Sequence, residues 1–357
     1  MAILGITGLS NTGKTSLFAA LTARPEGIAS FPFSTTETRV GVTRIVDPIL
    51  RELGRLEGSA RITQATLEVT DGPPLQEPGG DLDTRTVGML RQADCIAVVL
   101  RAFTDPSVPD GGSGTDPSSQ AEEVLLAMAI SDAQMFEGSI PRLRNQATSR
   151  PERREAFKTV SRASAICGDG GLLRQARWSD LELKALADFA PLTLKPVIWV
   201  VNVEEEMEQR RGTSNPVEGV VPAGDPVAPM TLRLEAEAAM LDARDRAEML
   251  EAFGLVRGAA ATISEAVLDT LAMCIFYTSN FRETRAWLTP LGSHARRAAG
   301  KVHSDMERGF IRAEVGNARA VIDAGGWDAA RAEGVVRVEG RDYPVRSRDV
   351  LQVRFSV

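Results

Sequence analysis

The stretch Gly8-Leu9-Ser10-Asn11-Thr12-Gly13-Lys14-Thr15 directly follows a short apolar run, Ala2 to Thr7, and precedes the helix-forming Ser16-Leu17-Phe18-Ala19-Ala20-Leu21. This order of strand, glycine loop and helix constrains the chain more than any other feature. The strand aims the loop, the glycines let backbone N–H groups approach phosphate oxygens, and the helix N-terminus turns its positive dipole end to the anion. The pattern predicts a nucleoside triphosphate site. Asn11, Thr12, Gly13, Lys14, Thr15 and Ser16 would surround the phosphates, Lys14 reaching the β and γ groups and the Thr15 hydroxyl holding Mg²⁺.

At 357 residues the chain exceeds one comfortable core, so two or three domains are expected. It contains no run of eighteen apolar residues, which argues against a membrane span. The first residues form a strand rather than a signal sequence, so a cytoplasmic protein is expected. Cys95, Cys167 and Cys274 are odd in number and widely spaced, which favours free thiols over disulfides or a zinc site. The net charge of −7 argues against a chain coated in nucleic acid, and no DNA partner is expected, but the charge is uneven: residues 272 to 357 carry 14 Arg plus Lys against 10 Asp plus Glu. That basic end is compatible with a solvated surface or with RNA contact.

Apolar and alternating runs at 40–46, 65–70, 93–100 and 197–201 read as strands, the last two continuous enough for the middle of a parallel sheet. Strands separated by helical patterns predict an α/β doubly wound sheet. Between the last two strands, Thr104 to Ser119 is a Pro/Gly/Asp/Ser linker. Beyond it Leu125, Met128, Met135, Phe136, Ile140 and Leu143 recur at mostly helical intervals, and Ser179-Asp180-Leu181-Glu182 reads as a capping box. These predict an inserted helical hairpin whose apolar stripe is its own packing. Residues 207 to 229 read as a loop, Glu235 to Phe253 and Ala259 to Leu271 as helices. From Cys274 the pattern changes to short strands at 275–279, 309–315, 335–339 and 350–355 with one helix near 319–331, a separate small α+β domain. The expected division is 1–117 with 191–271 for nucleotide binding, 118–190 for the hairpin, and 272–357 for the C-terminal domain.

Gly8 to Thr15, Phe31-Pro32-Phe33-Ser34-Thr35, Asp71, Asn202-Val203-Glu204-Glu205, Arg282-Glu283-Thr284-Arg285-Ala286-Trp287 and Gly309-Phe310-Ile311-Arg312-Ala313-Glu314-Val315 together resemble the YchF (Obg-like) ATPases, a branch of the translation-factor-related P-loop GTPases. The resemblance extends over essentially the whole chain. It implies a P-loop domain with an inserted helical hairpin, a C-terminal TGS domain, Mg²⁺ as cofactor, and a ribosome or ribosomal subunit as partner. Thr35 matches the first-switch threonine that closes the metal shell, with Asp71 beside it.

GTPases of this class read guanine with Asn-Lys-x-Asp. Here Val203 cannot replace that lysine, and Glu205 extends the carboxylate by one methylene, so a bidentate bond to guanine is lost. The resemblance implies ATP as the nucleotide, read by Asn202 and by main-chain groups at Val203, with GTP as the alternative. Thr231 falls where the family has its last base-contacting loop.

Three departures bear on turnover. The Asp-x-x-Gly whose glycine N–H binds the γ-phosphate is Asp71-Gly72-Pro73-Pro74 here, and Pro74 has no N–H. Leu75 keeps the hydrophobic residue that replaces a water-positioning Gln in this branch, but the glycine-rich segment after it is altered across Gln76 to Arg85. The family's proposed catalytic histidine falls at Asp110, the only histidines being His294 and His303. Ser34 stands where the family has a cysteine, which removes redox control through that thiol. The expected protein is an ATP- and Mg²⁺-binding, ribosome-associated protein with slow hydrolysis through Lys14 and Asp71. The alternatives are a regulatory GTPase and a hydrolysis-deficient, nucleotide-gated ribosome-binding module.

Overall fold

The computed structural model describes residues 1–23, 38–76, 82–109, 114–205, 216–255 and 257–356. In chain order its strands are β1 Ala2–Thr7, β2 Arg39–Arg44, β3 Arg61–Thr63, β4 Thr66–Asp71, β5 Cys95–Ala102, β6 Val197–Val203, β7 Val227–Met230, β8 Met273–Ser279, β9 Glu283–Pro290, β10 Phe310–Asn317, β11 Arg337–Glu339 and β12 Asp349–Phe355. The α-helices are α1 Lys14–Thr22, α2 Pro48–Leu56, α3 Thr84–Gln92, α4 Pro117–Ser149, α5 Arg154–Gly168, α6 Asp180–Ala187, α7 Leu232–Ala239, α8 Ala243–Ala252, α9 Gly258–Thr270, α10 Ala295–Val302, α11 Ser304–Arg308, α12 Ala318–Asp323 and α13 Trp327–Ala332. Two compact units result: Ala2–Thr43 with Glu68–Ala266, and Arg44–Leu67 with Val267–Val357 and Met1.

The first unit is built on a sheet of order β2-β4-β1-β5-β6-β7. β5 is parallel to both β1 and β6, with Leu4 opposite Cys95 and Ile96 opposite Val197, and β7 continues the parallel run against β6. β6 is buried along its whole length, and β5 along all but Ala102, because helices cover both faces of a parallel sheet. Trp199, Val201, Leu100 and Val98 share one core with Leu125 and Met128, so the start of α4 packs on the sheet. Farther along α4, Phe136 and Leu143 pack with Val160, Ala163 and Leu173 as the hairpin's own core. The apolar stripe therefore serves two cores. The expected capping box is present at the start of α6, Glu182 N–H donating to Ser179 Oγ and Ser179 N–H to Glu182.

One buried carboxylate anchors the hairpin. Asp132 accepts from Arg91 Nη1 (3.0 Å) and from the N–H of Leu192 (3.0 Å) and Thr193 (2.8 Å), as well as from Thr193 Oγ1. This charge sits at zero exposure because every oxygen is paired.

The second unit carries a sheet of order β11-β10-β12-β8-β9-β3. β8 and β9 form an antiparallel pair from Met273 opposite Pro290 to Ser279 opposite Thr284, and β10 is antiparallel to β12. Phe276, Ala295, Ala298, Ala313, Val315, Val345 and Leu351 form its core. The segment Arg44–Leu67, which the sequence division placed with the nucleotide domain, packs in this unit. β3 runs parallel to β9 as the edge strand, Asp47 Oδ1 caps α2 through the N–H groups of Ile49 and Leu50, and Asp47 Oδ2 accepts from Tyr277 Oη at 2.5 Å.

Several expected elements differ. The helix expected over 235–253 is broken in two, because Asp242 caps α8 by accepting from Arg244 and Asp245 N–H. The helix expected near 319–331 is likewise interrupted, by Gly325 and Gly326 at φ 91° and 124°, in the left-handed region that terminates α12. The segment 207–229, read as loop, ends in β7, whose four residues include a proline tolerated at the sheet edge. All three cysteines are buried and free, and burial pushes Cys95 and Cys167 up to about 12 and about 11, far from the reactive thiolate range.

Candidate functional site

The site sits in the first unit, at the ends of β1, β4, β5 and β6, where an open α/β sheet presents its loops to a ligand. Its floor is the loop between β1 and α1. Gly8 takes φ 144°, and a Cβ there would stand 2.4 Å from the Val99 carbonyl oxygen. Asn11 adopts φ 60°, a left-handed conformation that asparagine tolerates, and Gly13 takes φ 106° as N-cap of α1. Thr15 and Ser16 occupy the first turn of that helix, at the positive end of its dipole.

Lys14 is 6% exposed and donates from Nζ to the Leu9 carbonyl at 2.7 Å. Burial pulls its ammonium down to about 8, against the raising influence of Asp71. Asp71, at the end of β4, is fully buried. Among the described residues neither carboxylate oxygen has a hydrogen-bond donor in good geometry, and the nearby Gly72 N–H lowers the carboxyl only as the weakest of its influences. Burial raises Asp71 to about 6, against Lys14 and Arg39. The structure thus holds a buried cation and a buried carboxylate near one another without joining them in an ion pair, an arrangement suited to a polyvalent anion and its counter-ion.

The segment after Asp71 is tied down. Leu75 N–H donates to the Gly8 carbonyl (3.4 Å), Thr86 Oγ1 to the Pro73 carbonyl (3.0 Å), and Asp83 N–H to the Leu75 carbonyl (3.0 Å), with Leu75 fully buried. Pro74 gives the site no N–H.

Asn202, at 7% exposure near the end of β6, links two loops. Its Nδ2 donates to the Thr12 carbonyl at 3.0 Å, and its Oδ1 accepts from the Leu232 N–H at 3.2 Å. A Cβ at position 13 would stand 2.5 Å from that Nδ2, so Gly13 makes room for the tether. The Val203 side chain points into the core, leaving only its main chain for a ligand. Glu205 pairs with Arg233 at 3.1 Å, and Glu204 accepts from the Thr104 N–H at 2.9 Å. Thr231 is the N-cap position of α7. Thr35 and Asp110 lie outside the described residues.

Two participants were not legible in the sequence. Arg101, 3% exposed, donates to the carbonyls of Phe103 (3.2 Å), Val108 (2.9 Å) and Pro109 (2.8 Å), folding the loop after β5; the Pro109 carbonyl also accepts from Asn11 Nδ2 at 3.1 Å. Arg233 is the other, and nothing in its local sequence distinguishes it from an ordinary helix arginine.

The "Ribosome-binding ATPase YchF" of Haemophilus influenzae is 30% identical over 358 residues, 99% of each chain. The chain belongs to the YchF family. The proteins of the same name from Escherichia coli O157:H7 and Bacillus subtilis are 30% and 29% identical, again over 99% of each chain. Residues 273–356 match the YchF-GTPase_C model, described as a protein of unknown function (DUF933), and residues 3–129 match the model described as a 50S ribosome-binding GTPase. The YchF GTPase structure from Schizosaccharomyces pombe superposes with a TM-score of 0.83 over 99% of this chain and 97% of that one, at 22% identity, which establishes the common fold. This YchF member is thus an α/β P-loop protein with an inserted hairpin and a C-terminal α+β domain. Among its described residues no helix is long and apolar enough to cross a membrane.

Proposed function

We propose that the protein binds ATP with Mg²⁺, associates with ribosomes in the cytoplasm, and hydrolyses the nucleotide slowly. The observation that carries the reading is the buried Lys14 and the Asp71 carboxylate, without a hydrogen-bond partner among the described residues, at the open end of a phosphate loop. A buried carboxylate without donors is costly unless a cation satisfies it, so the residues fit a metal. Thr15 and Asp71 would hold Mg²⁺, with Thr35 as a third participant, and the ion would neutralise charge between the β- and γ-phosphates. Lys14 and the N–H groups of Asn11 to Ser16 would bind the phosphates.

ATP is favoured over GTP by the base side. Glu205 carries an Arg233 partner rather than two free carboxylate oxygens, and Val203 has no cationic stem to pack on a base. Asn202 and the Val203 main chain would meet adenine, with Thr231 at the neighbouring loop. The ribosome comes from the relatives, each named a ribosome-binding ATPase. Slow turnover follows from Pro74, which supplies no γ-phosphate donor.

Equilibrium titration with fluorescent ATP and GTP analogues, with and without Mg²⁺, tests this directly. Mg²⁺-dependent binding that prefers ATP and is lost in Lys14→Ala is expected; a preference for GTP would overturn the nucleotide assignment. Co-sedimentation with ribosomes tests the partner separately.

A further inference from the structure

We infer that the far end of the α4–α5 hairpin is a docking surface for the phosphate backbone of RNA. This rests on the ribosome-associated reading above and specifies which part of the chain makes the contact.

Charge is segregated along the hairpin. Residues 120–140, the half of α4 nearer the sheet, contain four Asp or Glu and no Arg or Lys. Residues 141–162, the far half of α4, the turn and the start of α5, contain seven Arg or Lys and two Glu, a net +5 in a chain of net −7. Arg142, Arg144, Arg150, Arg153, Arg154, Lys158 and Arg162 are all exposed. Of these, Lys158 pairs with Glu155, Arg162 with Glu182, and Arg144 lies over the Phe157 ring. Arg142, Arg150, Arg153 and Arg154 pair with no carboxylate among the described residues.

These four guanidinium groups are presented on a stiff support. Arg150 lies eighteen residues past Asp132, about 27 Å along a helix, and the hairpin core of Phe136, Leu143, Val160 and Ala163 runs between them. Asp132 fixes the near end by four hydrogen bonds. The turn itself is a single 3₁₀ turn, Pro151–Arg153.

The chemistry selects phosphate on RNA. Arginine dominates, and its planar fork donates to two phosphate oxygens at a time. A membrane surface would need apolar anchors beside the cations, yet none of the large exposed apolar residues lies within 141–162. An acidic peptide would need an apolar groove to fix its register, and the apolar side chains of this stretch are turned into the hairpin core.

The test uses the full chain with ATP and Mg²⁺, purified ribosomes, and protein-free ribosomal RNA, across about 50 to 200 mM salt, the range over which phosphate contacts weaken most visibly. In the variant carrying Arg142→Glu, Arg150→Glu, Arg153→Glu and Arg154→Glu, ribosome and RNA affinity should fall at least ~10-fold. The slope of log K against log salt should flatten by about 3, near the value for four lost phosphate contacts. ATP affinity should not change. A parallel Arg→Lys set should keep most of the binding, and an Arg→Gln set replaces the reversal if the latter does not fold. A reversal variant that binds like the wild type overturns the inference, as does wild-type binding to anionic phosphatidylserine vesicles but not to RNA. Failure of the wild type to bind ribosomes at all overturns the ribosome-associated reading itself.

Discussion

Asn202 and Thr12 are joined by a 3.0 Å hydrogen bond from the amide Nδ2 to the backbone carbonyl, across 190 residues of sequence. The bond fastens the phosphate loop to the strand end on the base side, and Asn202 Oδ1 extends the connection to α7 through Leu232 N–H. Asn202→Ala leaves a buried carbonyl and a buried N–H unpaired, each worth about 1 to 3 kcal/mol. Affinity for ATP and GTP should fall together, by at least ~10-fold, when measured by fluorescent-analogue titration. A change in preference without loss of affinity would mean that the tether is unimportant.

Pro74→Gly restores an N–H where the γ-phosphate sensor of related proteins has one. Removing a single positioned donor typically costs about 10²- to 10³-fold in rate, and Thr86 and Leu75 hold the neighbouring backbone in place. Single-turnover hydrolysis should therefore rise, by about 10-fold or more, with nucleotide affinity little changed.

Asp71 is a conditional liability. Its carboxyl is raised from 3.8 to about 6 by burial, so the nucleotide-free folded state holds a proton that the unfolded chain releases between pH 4 and 6. Stability from this group is therefore lost as pH rises through that window, at a cost of about 3 kcal/mol above pH 6 with the attraction to Lys14 already counted. Asp71→Asn should raise the Tm of the nucleotide-free protein at pH 7 by an amount equivalent to about 1 to 3 kcal/mol and leave it unchanged near pH 4. The same variant should weaken Mg²⁺-dependent ATP binding.

Tyr277→Phe tests the second unit. The Tyr277 phenol donates to a buried Asp47 carboxylate that also caps α2, and burial pushes it well above its ordinary range, so it remains a donor at all working pH. Its loss should cost about 1 to 3 kcal/mol, read as a lowered denaturation midpoint with ATP affinity preserved.

What was legible in the sequence divides along physical lines. The phosphate loop was readable because close approach demands glycine at positions 8 and 13, a local requirement written in local letters. β5 and β6 were readable because double-sided burial leaves an unbroken apolar run. The membership of residues 44–67 was not, since Arg61-Ile62-Thr63 gains its strand only by pairing with Glu283-Thr284-Arg285, more than 200 residues away. Arg101 was opaque for a similar reason: its partners are carbonyl groups, which every residue possesses. Asp242 was available as a cap signal inside the helical stretch, but the strong helix formers around it concealed the break.

The placement of residues 44–67 has a consequence for any attempt to take the protein apart. The chain passes between its two units at Thr43, Leu67 and Ala266 as well as next to Met1, so no single cut separates them. A fragment ending at residue 266 keeps α2 and β3 but strips away the strand that pairs with β3 and the tyrosine that satisfies Asp47. The complementary piece begins with an uncovered sheet edge on β9, a template for self-association. The C-terminal unit is therefore not a detachable module that recombination could graft onto another carrier by joining one end. It can be inherited, swapped or expressed intact only with the stretch that follows β2.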